Sequence, residues 1–303
     1  MISDAALARL QSVVGEPDFA GTRYEPLSVL GRGGMGTVYL ARDSVLDREV
    51  AVKVLDRVAG DRAVADHLQQ EARILARLEH PGIVPVHDFG CLPDGRLFYA
   101  MKRVRGERLD RWAAGVEPHA RLEVFLRICD AVAFAHAHGV IHRDLKPENV
   151  MVAEFGEVRV LDWGVAQVAE TENRSRPPLI VGTPPYMAPE QLRGDRPVDE
   201  RADIHALGAM LAGLIAARES ATTPKALTAI AAKAQSMDPD GRYQSVLALS
   251  ADVARFTSGL SVQAHAESVV DRLVRVGRRY RLPIALVVAY LLMRILSLWL
   301  LRV

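Results

Sequence analysis

The chain has 303 residues, half of them hydrophobic and a quarter charged, with a formal net charge of +1 at pH 7. That balance excludes a disordered chain and allows one large two-lobed domain or two ordinary ones. A near-neutral chain gives no reason to expect a nucleic-acid partner, and Cys91 and Cys129, far apart and without metal-ligand spacing, read as small buried hydrophobes in a reduced, cytosolic setting.

In chain order, residues 1–23 read as an N-terminal extension: a short helix over Ala5–Val14, then a loop, with no signal-peptide pattern. From Tyr24 to Met101 short β-like runs alternate with turns: Val29–Leu30, Val38–Ala41, Val50–Leu55, and Leu97–Met101 after Asp94-Gly95. One helix interrupts them over Ala63–Leu78, where Leu68, Ala72, Leu75 and Leu78 recur at intervals of three to four. A hinge is expected at Met101–Gly106. Beyond Arg108 the pattern turns helical over Leu109–Ala114, Arg121–His138, Ala202–Ala217, Leu227–Ser236 and Val246–Phe256, with strand-like Val150–Val152 and Val158–Leu161 in between. Glu170–Leu179 is polar, carries Pro177-Pro178 and reads as an exposed loop.

Of the 38 basic residues only five are lysine: Lys53, Lys102, Lys146, Lys225 and Lys233. Arg is a wide planar fork and Lys a compact point charge, so a surviving Lys points to a tight anion pocket. Lys53 lies inside the apolar run Ala51-Val52-Lys53-Val54, where an unpaired charge is costly, and Glu71 on the following helix is its natural partner. Upstream, Gly31-Arg32-Gly33-Gly34-Met35-Gly36-Thr37-Val38 spells G-x-G-x-x-G-x-V. Alone, this spacing also fits a dinucleotide-binding turn or a ligand-free hairpin. Strand-like Val38-Tyr39-Leu40 follows the glycines, which favours a β-hairpin lid closing backbone N–H groups over phosphates.

The most specific segment is Ile141-His142-Arg143-Asp144-Leu145-Lys146-Pro147-Glu148-Asn149-Val150. With Asp162-Trp163-Gly164, Gly182-Thr183-Pro184, Ala188-Pro189-Glu190, and Asp203 with Gly208, it resembles the bacterial eukaryotic-like serine/threonine protein kinase family, from about Tyr24 to Phe256. The resemblance implies an α+β, two-lobed protein-kinase fold over residues 24–258, with a β-rich N-lobe (24–101) and a helical C-lobe (107–258). It implies transfer of the ATP γ-phosphoryl group, with Mg²⁺, to protein Ser or Thr hydroxyls. In that scheme Asp144 accepts the substrate proton and Lys146 neutralises the γ-phosphate. Lys53, paired to Glu71, holds the α- and β-phosphates, and Asn149 and Asp162 bind the metal. Gly31, Gly33, Gly34 and Gly36 form the lid; Val38 and Ala51 cover the adenine; Met101 is the gatekeeper, and Lys102 to Val104 the hinge. Thr183 hydrogen-bonds Asp144. Thr171 or Ser175 is expected to be autophosphorylated and to pair with Arg143. A second copy of the chain, as partner in trans-autophosphorylation, is a further expectation.

Two departures stand out. Trp163 replaces the usual Phe or Leu and needs an N–H partner when buried. After Leu214 the chain runs almost directly into Leu227–Met237, so a helix that usually helps dock substrates is expected to be missing, while Arg242 is expected to anchor Glu190. A pseudokinase scaffold would lack at least one of Lys53, Asp144, Asn149 or Asp162, and a small-molecule phosphotransferase would lack the Gly182-Thr183-Pro184 and Ala188-Pro189-Glu190 elements.

At the end, residues 259–281 form a basic linker crowded with Arg272, Arg275, Arg278, Arg279 and Arg281, and Leu282–Leu301 is nearly unbroken apolar sequence. Twenty residues make about 30 Å of helix, a bilayer core. Arg294 sits close enough to the end to snorkel. The expectation is a single-pass tail anchor with the lobes on the cytoplasmic side of the cell membrane.

Overall fold

The computed structural model describes residues 15–33, 36–55, 62–163, 167–168, 183–194, 196–216, 224–265 and 286–294, with the backbone alone at 62–67, 155 and 167–168. The N-lobe is built on strands β1 (Tyr24–Gly33), β2 (Gly36–Asp43), β3 (Arg48–Leu55), β4 (Val86–Cys91) and β5 (Leu97–Lys102). They form one antiparallel sheet in the order β1-β2-β3-β5-β4. The period-two alternation of β3 gives this sheet two different faces. Val50, Val52 and Val54 point into a small core with Tyr24, Ala41, Leu92, Phe98 and Ala100. Lys53 and Leu55 point the other way, where Leu55 packs with Leu68, Ala72 and Leu75 of helix α1 (Arg62–Arg77). Strand β4 was not legible as a strand, because His87, Asp88 and Gly90 break any apolar alternation.

In the C-lobe, β6 (Glu107–Arg108) leads into α2 (Leu109–Trp112) and α3 (Pro118–Ala137). Then come β7 (Val140–Ile141), β8 (Val150–Val152), β9 (Val158–Val160) and β10 (Gln167–Val168). The helices α4 (Pro189–Arg193), α5 (Arg201–Ala216), α6 (Lys225–Ala234) and α7 (Val246–Thr257) complete it. Helix α5 is apolar nearly all round and forms the centre of the main core, as a buried helix should. Helix α6 docks tightly on it at Gly208, where a Cβ would come within 2.6 Å of the Ala234 methyl. Residues 217–223, where a substrate-docking helix is expected to be missing, lie outside the described residues.

Packing runs past both expected domain boundaries. Phe19 is buried in the N-lobe core. Beyond α7 the chain folds back: Val262 joins the main core, and the backbone N–H groups of Gln263 and Ala264 donate to the buried Asp252 carboxylate at 2.6 and 2.9 Å. The expected helix Ala5–Val14 and the linker arginines from Arg272 to Arg281 lie outside the described residues. Of the expected span Leu282–Leu301, residues 286–294 are described; they are helical and exposed. No helix among the described residues is long and apolar enough to cross a membrane.

Candidate active site

The β1–β2 hairpin carries Gly31 opposite Val38 and Gly33 opposite Gly36; Gly34 lies outside the described residues. Gly36 is required by space, since a Cβ there would sit 2.2 Å from the Val54 carbonyl oxygen. Cross-strand partners share a face, so the register Val38↔Lys53, Leu40↔Ala51, Ala51↔Met101 and Lys53↔Tyr99 lines one surface with Val38, Ala51, Lys53, Met101 and Tyr99. That surface abuts the hinge, where Val104 is half-buried. Gly106 closes the hinge at φ 156°, where any Cβ would strike the backbone of Val152 and Ala153.

Lys53 Nζ donates to Glu71 at 2.9 and 3.0 Å and to Asp162 Oδ1 at 3.0 Å. Tyr99, opposite Lys53 in register, donates its hydroxyl to Glu71 at 2.8 Å. Burial pushes the Lys53 amine down, but Glu71 and Asp162 outweigh it and hold the amine above its ordinary value. Asp162 mirrors this: burial pushes its carboxyl up, and Lys53 pulls it below the usual range. Burial, reinforced by Glu71, raises the Tyr99 phenol well above normal. Tyr99 was not foreseen, because only the strand register brings it to Glu71.

Across from this trio, Asp144 sits among three donors. Lys146 Nζ donates to Asp144 Oδ2 at 2.8 Å and to Thr183 Oγ1 at 2.7 Å, and Thr183 donates its hydroxyl to Asp144 Oδ1 at 3.0 Å. Asn149 Nδ2 donates to the Asp144 carbonyl at 2.9 Å, which turns its amide oxygen away from that bond. The loop that holds them hangs on Asp203, buried on α5. Its carboxylate accepts the backbone N–H groups of His142 and Arg143 at 2.8 Å each, and His136 Nε2 lies 2.7 Å away. Burial pushes the Asp203 carboxyl up, but these partners bring it below its ordinary value. His142 Nε2 meets the Leu161 carbonyl at 3.0 Å, and its Nδ1 accepts the Asp144 N–H at 3.3 Å. Arg143 at φ 70° and Asp162 at φ 57° occupy the left-handed region that L side chains disfavour. His136 was missed: it sits on a helix face remote in sequence from Asp203, and nothing in its spacing pairs the two.

Trp163 is fully buried, with Nε1 donating to the Val160 carbonyl at 3.3 Å and its ring 4.6 Å from that of His142. Arg242 grips Glu190 with two hydrogen bonds of 2.7 and 2.8 Å. Arg143 donates Nη2 to the Val198 carbonyl at 3.3 Å, while Thr171 and Ser175 lie outside the described residues. The arrangement gathers a lysine with two carboxylates in one group and a carboxylate with a lysine and a hydroxyl in another, and the Lys146 charge also helps to hold the Asp162 carboxyl down.

The family profile described as "Protein kinase domain" matches residues 24–287. Among curated relatives, the serine/threonine-protein kinase PknD of Chlamydia caviae is 33% identical, with 78% of this chain and 31% of that protein covered. PknB of Mycolicibacterium smegmatis, also a serine/threonine-protein kinase, is 35% identical, with 82% of this chain and 45% of that protein covered. The chain thus spans less than half the length of these relatives. Among solved structures, the kinase domain of Mycobacterium tuberculosis PknI matches at TM-score 0.58 and 28% identity, covering 80% of this chain and 97% of that one. The chain belongs to the protein kinase family, among its bacterial eukaryotic-like serine/threonine members.

Proposed function

We propose that this chain transfers the γ-phosphoryl group of ATP to Ser or Thr hydroxyls of proteins. The observation that carries this reading is the cluster Asp144–Lys146–Thr183, joined by contacts of 2.7 to 3.0 Å, with Lys146 near enough to the Lys53–Glu71–Asp162 group to help lower the Asp162 carboxyl. Asp144 orients the acceptor hydroxyl and takes its proton as that oxygen bonds the γ-phosphorus and the bond to the β–γ bridging oxygen breaks, which leaves ADP. Lys146, already beside Asp144, lends its charge to the transferring phosphoryl group. Lys53 holds the nucleotide phosphates, and Glu71 fixes the direction of its amine. Asp162, half exposed, and Asn149, whose amide oxygen is turned from its bond to Asp144, would hold Mg²⁺, which favours hard oxygen donors. Bound there, Mg²⁺ would neutralise phosphate charge.

The finer reading has two parts. Thr171 or Ser175 is autophosphorylated, by a second copy of the chain, and the phosphate pairs with Arg143. Residues 282–301 anchor the chain in the cell membrane with the lobes on the cytoplasmic side; the helical stretch 286–294 supports this, since Leu286, Val287, Leu291 and Leu292 are exposed.

An assay with Mg-ATP and a generic basic protein, native against Asp144→Asn, tests the central claim: transfer should fall by a factor of about 10²–10⁴. Equal transfer by both would overturn the role of Asp144. Mass spectrometry of active protein with Thr171 and Ser175 both unmodified would remove the autophosphorylation claim. Carbonate extraction that frees the intact chain from membranes would remove the anchor.

A further inference from the structure

The family match begins at Tyr24, yet the structure binds the preceding residues into the N-lobe. Gly15 accepts a hydrogen bond from Arg96 Nη1 at 2.6 Å, and Asp18 donates its backbone N–H to Asp94 Oδ2 at 3.0 Å. Both partners sit on the β4–β5 turn, so the segment is clamped to the far end of that hairpin. A turn then reverses the chain: Thr22 returns its N–H and hydroxyl to the Phe19 carbonyl at 3.1 and 2.8 Å, with Gly21 at φ 73°. At the other end Ser44 donates its N–H to the Arg23 carbonyl at 2.9 Å, tying the segment to the β2–β3 turn. Between the two clamps the Phe19 ring, 7% exposed, enters the small core and meets the Tyr39 ring edge-on at 5.7 Å.

Tyr39 lies on β2, immediately after Val38. The register Tyr39↔Val52 puts it on the face opposite Val38, Ala51 and Lys53. Phe19 therefore packs behind the strand whose front carries the lid and the nucleotide-facing residues. β3 holds β2 along its whole length, so the lid follows the path of β2, and side chains packed behind that strand help to fix the path.

We infer that residues 15–23 are a strap, and that Phe19 is a positioning residue for nucleotide binding, acting through Tyr39 and β2 on Gly36 and Val38. The inference rests on reading the chain as an ATP-using kinase. It predicts an effect on nucleotide affinity rather than on the transfer step, because Phe19 is remote from Asp144 in the fold and touches only the N-lobe core.

The test is made on the full chain, with a non-hydrolysable Mg-ATP analogue titrated calorimetrically and steady-state kinetics alongside. Phe19→Ala should raise the analogue Kd and the ATP KM about fivefold, with kcat at saturating ATP within about twofold of native. Phe19→Leu should recover most of the loss. An unchanged Kd together with a lowered melting temperature would make Phe19 structural only and overturn the inference. Should Phe19→Ala lack a cooperative melt, Arg96→Met loosens the clamp at Gly15 and keeps the ring in place. It should raise Kd about twofold, and an unchanged Kd there overturns the inference equally. If the native chain binds no Mg-ATP analogue, the kinase reading itself falls and takes the strap's role with it. Native binding with indifferent variants sinks the strap alone.

Discussion

Lys53 and Arg242 are both buried cations held by a glutamate from a helix, yet their surroundings differ. Arg242 gives two hydrogen bonds to Glu190, one to the Ser236 carbonyl and one to the Arg201 carbonyl, all between 2.7 and 2.8 Å. Neither side chain of that pair meets solvent, and the cation is enclosed on every side. Lys53 instead shares its charge between buried Glu71 and an Asp162 side chain that is 52% exposed. One side of its pocket is open, and Asp162 can exchange a lysine contact for another cation. A closed pair contributes to holding the fold together; an open one is ready for a ligand. Ion-pair distance alone does not separate them, since the distances are similar.

The largest expected effect tests the open pair. Asp162→Asn leaves Lys53 with Glu71 and so should move the melting temperature by less than about 2 °C. On the proposed reading it removes a carboxylate that would hold the metal, and transfer should fall about 10³-fold. Kinetics and calorimetric melting on the same preparation check this. A large drop in melting temperature with intact transfer would place Asp162 in the closed class.

Next comes the closed pair. Glu190→Gln keeps an oxygen for one Arg242 hydrogen bond but strands a buried guanidinium, a loss of about 3 kcal/mol at the low end for broken buried pairs. For a domain of this size that lowers the melting point by about 6–12 °C. Burial pushes the Glu190 carboxyl up, but the Arg242 hydrogen bonds hold it below its ordinary value. A carboxyl with a lowered folded pKa contributes stability above its unfolded pKa, near 4, and loses it as pH falls through the folded value. The stability gap between native and Glu190→Gln protein should therefore be constant from about pH 7 to pH 5 and narrow below about pH 4. A gap that widens on acidification would contradict the assignment.

The open pair was the more legible of the two in the sequence. A lysine inside an apolar strand and a glutamate on the next helix carry their chemistry in residue type and order, whereas Asp162 enters through the family resemblance. Arg242–Glu190 was anticipated only through family resemblance. What escaped reading depends on three-dimensional register. Tyr99 reaches Glu71 because β5 pairs with β3 in one register. His136 reaches Asp203 because α3 crosses α5. Phe19 carries no signal in the sequence, because one aromatic in a polar stretch has no period. Strand β4 hid behind its Asp88, which is polar because Arg23 and the Tyr24 hydroxyl both donate to it. Sequence periodicity reports burial along one element; it says little about polar groups satisfied between elements.

The smallest expected effect falls on the border between the classes. Asp162 and Trp163 are neighbours in the chain, one open and one closed: Trp163 is 1% exposed. Trp163→Phe removes the indole N–H that donates to the Val160 carbonyl and part of the ring that packs on His142. A neutral hydrogen bond contributes about 1 kcal/mol and a small residual void about as much again. The melting point should fall by about 4–8 °C. Transfer should stay within about threefold of native, because Lys53, Glu71 and the Asp162 carboxylate are untouched. If transfer instead fell as far as in Asp162→Asn while the melting point held, Trp163 would be setting the left-handed backbone at Asp162 rather than packing the core. The division between open and closed groups would then have to be drawn by backbone strain as well as by exposure.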